Sequence, residues 1–170
     1  WGAPQFQRAP ELTLIAADGS TTRGDLESGE IQVDFQLQHR RKGLLWYATY
    51  GVAFDGNYTF SNPLAEPVTA RVLFRFPTSS AIYDDFEFRV ADTLVTPRGD
   101  TSQGLQAEVQ VPPGEEAAIH IAYASRGLDS SLYSFADEIT TVRDFTLTIS
   151  TDFEEYNFPQ HTISATTKTR

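Results

Sequence analysis

The sequence predicts an all-β protein, an antiparallel β-sandwich of nine or ten strands with little helix, and three observations carry that prediction. Apolar residues recur at every second position rather than at the i, i+3, i+4 spacing of a helix. Turn-forming pairs fall between the alternating runs at short intervals. The alternating positions are rich in aromatic and β-branched side chains, drawn from seven Tyr, twelve Phe and two Trp in 170 residues, which suit a half-buried pleated surface.

Leu12 to Ala16 and Ile31 to Leu37 are the first candidate strands. Trp46, Ala48, Tyr50, Val52 and Phe54 then share one side of an extended run. Val68, Ala70, Val72, Phe74 and Phe76 do the same, with Thr69, Arg71, Leu73 and Arg75 between them. Phe86, Phe88 and Val90 alternate with Asp85, Glu87 and Arg89, and Leu105 to Val111 comes next. Ala117, Ile119, Ile121 and Tyr123 flank His120; Phe145, Leu147 and Ile149 alternate with Thr146, Thr148 and Ser150; Ile163 to Thr167 closes the series. The turns between are Asp18-Gly19, Ser28-Gly29, Asp55-Gly56-Asn57, Asn62-Pro63, Arg98-Gly99-Asp100 and Pro112-Pro113-Gly114. Asn62-Pro63 cannot continue a ladder, because proline lacks the donor. Glu66-Pro67 starts a return strand and Pro77 ends it, so a three-stranded meander is expected there. Only Asp129 to Thr140, with Leu132, Phe135 and Ile139, has helical potential.

Residues 1–10, with two prolines, are expected to lead into a single sandwich domain over 11–164, and 165–170 to form a tail. Within that domain, residues 11–40 are expected to be peripheral. The chain has no methionine and begins at Trp1, which is expected of a piece or processed product of a longer protein. Any membrane segment is then expected outside it, since no apolar run approaches the ~20 residues that span a bilayer.

Charge and cysteine content narrow the chemistry. There are 23 acidic and 13 basic residues, a net charge of −10. Such a surface repels phosphate, and Arg40-Arg41-Lys42 is the one basic run, so no nucleic-acid partner is expected. The absence of cysteine removes disulfides, thiolate nucleophiles and Cys-based metal centres.

From Tyr58 to Asp92 the residues Tyr58-Thr59-Phe60-Ser61-Asn62-Pro63, Glu66-Pro67, Phe74-Arg75-Phe76-Pro77 and Phe86-Glu87-Phe88-Arg89-Val90-Ala91-Asp92 resemble the VIT-type β-sandwich of secreted and cell-surface proteins. Val111-Pro112-Pro113-Gly114-Glu115, continued by alternation through Ala124, is similar to the Pro-Gly-Glu hairpin of extracytoplasmic immunoglobulin-like domains. Arg41-Lys42-Gly43-Leu44, Tyr47, Phe54, Gly56 and Phe60 are faintly similar to the soluble domain of CreD-type bacterial inner-membrane proteins. These resemblances imply an extracytoplasmic interaction domain, periplasmic or at the cell surface, and bring no catalytic set and no cofactor.

The candidate site residues are acids. Asp84, Asp85 and Glu87 come just after Tyr83, and Asp152, Glu154 and Glu155 precede Tyr156. Calcium takes six to eight oxygen ligands, which sandwich loops commonly supply. Paired carboxylates roughly 5 or 6.5–9.5 Å apart also hydrolyse glycosidic bonds, and Trp46, Tyr47 and Tyr156 are aromatics of the kind that stack on sugars. Acids on loops equally serve solubility. His39, His120 and His161 lie on separate elements without the spacing of a zinc site. No Gly-x-Ser-x-Gly elbow accompanies them. Arg23-Gly24-Asp25 and Arg98-Gly99-Asp100 spell a tripeptide read on loop tips by cell-surface receptors, and also look like hairpin turns.

The leading functional expectation is therefore a non-enzymatic extracytoplasmic interaction or structural module, the soluble part of a membrane-anchored protein. Its expected partner is another protein or a second copy, joined through an exposed edge strand. A carbohydrate-active or carbohydrate-binding domain and a calcium-dependent adhesion domain are the alternatives.

Overall fold

The computed structural model describes residues 6–42, 44–78, 81–96, 98–100, 102–128, 132–134, 143–153 and 167. Their regular structure is all strand: β1 (Phe6–Arg8), β2 (Glu11–Ile15), β3 (Thr21–Gly24), β4 (Ser28–Lys42), β5 (Leu45–Ser61), β6 (Val68–Phe74), β7 (Ile82–Val90), β8 (Thr93–Leu94), β9 (Arg98–Asp100), β10 (Gly104–Val111), β11 (Glu116–Leu128), β12 (Leu132–Ser134) and β13 (Asp144–Thr151). A five-stranded sheet runs β3-β2-β6-β10-β9, a six-stranded sheet runs β13-β4-β5-β11-β7-β8, and β1 pairs with β12. The long strands are those that alternation predicts. The count exceeds ten because β1, β3, β8, β9 and β12 have two to four residues each, too few to show a period. Most ladders are antiparallel, and two parallel ones are added, β1 with β12 and β13 with β4.

β6 shows why the alternating sequence makes a half-buried strand. Val68, Ala70, Val72 and Phe74 are at most 1% exposed, while Thr69, Arg71 and Leu73 between them are partly exposed. Opposite them, the six-stranded sheet contributes Ile31, Val33, Val52, Phe54, Phe60, Phe88, Ile119, Ile121 and Tyr123 to the same core. Phe74 is the aromatic bridge between layers, its ring centroid 6.4 Å from Phe54, 6.4 Å from Phe86 and 6.2 Å from Tyr123. Gly56 makes room for this packing, because a Cβ there would lie 3.0 Å from the rings of both Phe54 and Tyr58.

Four sequence expectations are corrected here. Residues 11–40 are integral to the sandwich, for Leu12, Leu14, Ile31 and Val33 are core residues and β2 pairs with β6 inside a sheet. Residues 6–10 are more than a lead, since β1 is a strand and Gln7 and Ala9 are each 2% exposed. Within Asp129–Thr140, Leu132–Ser134 is strand and not helix; the rest of that segment, and the candidate strand Ile163–Thr167 apart from Thr167, lie outside the described residues. The expected meander is absent: β5 and β7 belong to the six-stranded sheet and β6 to the other. Asn62-Pro63 and Pro77 thus mark crossings between layers, not hairpins within one.

The first crossing is held by Asn62, which is fully buried. Its Nδ2 donates to the carbonyls of Glu66 (2.8 Å), Val111 (3.1 Å) and Pro112 (3.1 Å), and its Oδ1 accepts from Leu64 N–H at 3.0 Å. Its backbone bonds Glu115 O and Gly114 N, both at 3.0 Å. One buried side chain thus finds polar partners on two loops, which matters because an unpartnered buried polar group costs about 1–3 kcal/mol.

A second local device sets the facing of β7. Asp85 has φ of 52°, and the β11–β7 register shifts there, with Ala122 opposite Glu87 but Ala124 opposite Asp84. The extra residue is a β-bulge. It reverses the alternation, so that Tyr83 packs on Phe76 and Tyr123 while Asp84 points out to Arg126.

Asn62→Ala is expected to lower unfolding free energy by about 2–4 kcal/mol, and Asn62→Asp by at least as much, since a carboxylate cannot donate to three carbonyls; urea denaturation measures both. Asp85→Gly should be neutral or stabilising and Asp85→Val destabilising by about 1–2 kcal/mol, because a β-branched residue resists positive φ. Equal melting temperatures for these two variants would refute the strained bulge.

Candidate functional site

Asp84, Asp85 and Glu87 lie on the strand β7 and not on an open loop, and Asp152 follows the end of β13. Asp84 Oδ2 accepts from Arg126 Nη2 at 2.8 Å. Glu87 pairs with Arg89 and faces His120 Nδ1 at 3.4 Å. The other ring nitrogen of His120 faces Asp55 Oδ2 at 3.1 Å, and Asp55 Oδ1 accepts from Asn57 Nδ2 at 2.8 Å. This row ties β5, β11 and β7 across the outer face of the six-stranded sheet. The hydrogen bond from Arg89, with the nearby charges of Arg89 and His120, holds the Glu87 carboxyl below the usual range. Asp85 is exposed on the bulge, and Asp152 Oδ1 accepts from Leu37 N–H at 2.8 Å. Glu154, Glu155, Tyr156 and His161 lie outside the described residues, and the side chains of Trp46 and Tyr47 do too.

The structure therefore brings Asp84 and Glu87 onto one sheet face and leaves Asp152 at the opposite edge. Among the described residues, no group of three or more His, Asp or Glu side chains is placed to hold a metal ion. His39 is exposed on β4, far along the strand from the His120 row. Arg98-Gly99-Asp100 is the strand β9, and Arg23-Gly24 ends the strand β3, where a Cβ on Gly24 would lie 2.4 Å from Leu12. Neither tripeptide forms a hairpin tip.

Sequence reasoning missed an interior polar network. Tyr123 donates to Gln7 Oε1 at 2.7 Å, and Gln7 Nε2 donates to the carbonyls of Arg8 (2.8 Å) and Arg75 (3.1 Å). Tyr58 and Tyr133 share a hydroxyl hydrogen bond of 3.0 Å. Burial pushes the hydroxyls of Tyr58, Tyr123 and Tyr133 above the ordinary tyrosine range. Beside them a cleft of about 30 Å³ is lined by Gln7, Phe35, Tyr123, Tyr133, Leu147 and Ile149, among others. That volume suits about one water molecule, not a substrate.

Among the described residues β13 ends the six-stranded sheet, and Thr146, Leu147, Thr148, Ile149 and Ser150 are all exposed. Asp144 N–H donates to Glu27 O and Asp152 N–H to Phe35 O. Amides alternate in direction along a strand, so those of Leu147 and Ile149 point away from β4. Leu147 and Ile149, 37% and 48% exposed, are level with the buried Ile31 and Val33 in the ladder, so the inner apolar face continues to the edge.

No family model and no curated protein matches the chain, so no family match accompanies the resemblances to VIT-type, immunoglobulin-like and CreD-type domains. Among solved structures the chain is similar to a putative nutrient binding protein of Legionella pneumophila, with 15% sequence identity and a TM-score of 0.44 over 70% of this chain. The chain spans less than half of that protein, 42% of its length.

The tyrosine network makes stability fall in alkali. Hydroxyls that titrate higher in the folded than in the unfolded state contribute stability that is complete below pH about 10 and is lost as pH rises beyond it. Tyrosinate absorbance should appear cooperatively with loss of sheet circular dichroism above that pH. Gradual ionisation of all seven tyrosines without unfolding would contradict the buried network.

Proposed function

We propose that this domain is a non-catalytic interaction module, placed outside the cytoplasm as part of a membrane-anchored protein, and that it acts through the β13 side of its six-stranded sheet. The observation that carries this reading is β13, with amides at Leu147 and Ile149 directed away from β4 and with their apolar side chains 37% and 48% exposed. An unpaired edge is a template for an added strand. The acids weighed for catalysis support the same reading, since Asp84 and Glu87 are engaged by Arg126, Arg89 and His120. The residues that resemble surface-protein domains, Asn62-Pro63 and Glu66-Pro67, support the location.

Photo-crosslinking tests the reading. A photoreactive residue at Ser150, on β13, is expected to capture a protein in envelope preparations from the producing cell, and one at Glu108, on β10, is not. Equal capture from both positions, or turnover by the purified domain on a panel of glycosides, overturns it.

A further inference from the structure

The β4–β5 hairpin outruns the strands on either side of it. Its ladder continues to the pair Lys42 and Leu45, whereas the ladder of β13 with β4 stops at Phe35 and that of β11 with β5 stops at Tyr50. Among the described residues, no third strand flanks 39–42 or 45–48, which form a two-stranded ribbon about 14 Å long at ~3.4 Å per residue. Leu44 at its turn is 88% exposed, and His39 on its β4 side is exposed too, so the tip stands in solvent. Its composition differs from that of the rest of the chain. None of the 23 acidic residues falls between Asp34 and Asp55, and Arg40, Arg41 and Lys42 are consecutive there. The register sets Tyr47 opposite Arg40, Trp46 opposite Arg41 and Leu45 opposite Lys42. Directly opposite positions share a face of a ladder, so both faces of the ribbon combine a cation with an aromatic or apolar residue.

We infer that this ribbon is a membrane-contact arm that rests on the headgroups of an anionic bilayer. A bilayer interface draws both halves of its composition. Arginine and lysine are attracted to anionic lipids, Trp and Tyr favour the headgroup level, and an exposed leucine at the tip gains from burial at the acyl boundary. Charge also sets the direction of approach. With three cations gathered on the arm, the rest of the chain is more negative than the net charge of −10 and is repelled by the surface that attracts the tip. The contact is peripheral, because a ribbon of two strands leaves edge amides that hydrocarbon cannot satisfy. A single basic patch binds a membrane weakly and becomes useful as a second signal beside an anchor. The arm then fixes which end of the sandwich faces the bilayer, whatever binds at the β13 side.

The test uses the whole chain with vesicles of phosphatidylcholine alone or of phosphatidylcholine and phosphatidylglycerol in equal parts, read by co-sedimentation and tryptophan emission. The chain has two tryptophans, so Trp1→Phe leaves Trp46 as the reporter on the arm. Binding to the anionic vesicles is expected to be at least about tenfold tighter than to the neutral ones, to weaken with added salt, and to shift Trp46 emission to the blue. The triple variant Arg40→Gln, Arg41→Gln and Lys42→Gln should lose about tenfold or more of that affinity. Leu44→Ser should lose about threefold and reduce the blue shift. Melting curves confirm that both variants fold. No binding to the anionic vesicles, equal binding to both kinds, or undiminished binding by the triple variant would each overturn the proposal. Binding to polyglutamate as tight as to the anionic vesicles, without a blue shift on the vesicles, would make the arm a site for acidic polymers and overturn it as well. Crosslinking from Ser150 reports on the β13 side separately, so either reading can fail while the other stands.

Discussion

At Asn62 the chain leaves one sheet for the other, and the placement of β6 depends on the buried carboxamide that ties two loops together at that crossing. The carboxamide meets three carbonyls and one N–H from two loops, so the exit from β5 and the turn before β11 are fixed to each other. β5 and β11 are neighbours in the six-stranded sheet, and β6, which starts just beyond the crossing, pairs with β10, which ends just before that turn. One buried side chain therefore sets the relation of two strand pairs in opposite layers.

The layers themselves are joined by rings. A sandwich without cysteine lacks the inter-sheet disulfide of antibody domains, and Phe74, Phe54, Phe86 and Tyr123 occupy the space between the sheets instead. Aromatic pairs are worth about 0.5–1.5 kcal/mol beyond their buried area, but only if each ring reaches the interior. The bulge at Asp85 decides this for β7. Strict alternation would turn Asp84 inward and Tyr83 outward, and the αL residue exchanges them.

Much of this was legible from alternation alone. Val68 through Phe74 and Ala117 through Tyr123 read as half-buried strands, and they are. What alternation cannot encode is the sheet to which a strand belongs. Asn62-Pro63 and Pro77 say where a ladder stops, and the same chemistry serves a hairpin or a crossing. The distinction lies in contacts with Val111 and Pro112, some 49 and 50 residues away. The acids were legible as residues but not as ion pairs, because Arg126 and His120 become neighbours of Asp84 and Glu87 only through the β11–β7 register. The place of β13 rests on a parallel ladder with β4 that no local pattern announces, and the Gln7–Tyr123 bond joins residues 116 apart.

That parallel ladder bears on the order in which the chain can fold. β4 and β5 form a hairpin available early, whereas β13 reaches β4 from the far end of the sequence, with Leu37 and Asp152 separated by 115 residues. Contacts of such separation form late, because loop closure must be paid for before they contribute. Until β13 emerges from the ribosome, the amides of β4 opposite its hairpin partner lack the acceptors that β13 supplies, and Ile31 and Val33 lie next to that open edge. The nascent domain is then vulnerable to pairing with the wrong strand, its own or a neighbour's. The side of β4 that β13 covers in the folded domain is, during synthesis, an open edge prone to aggregation.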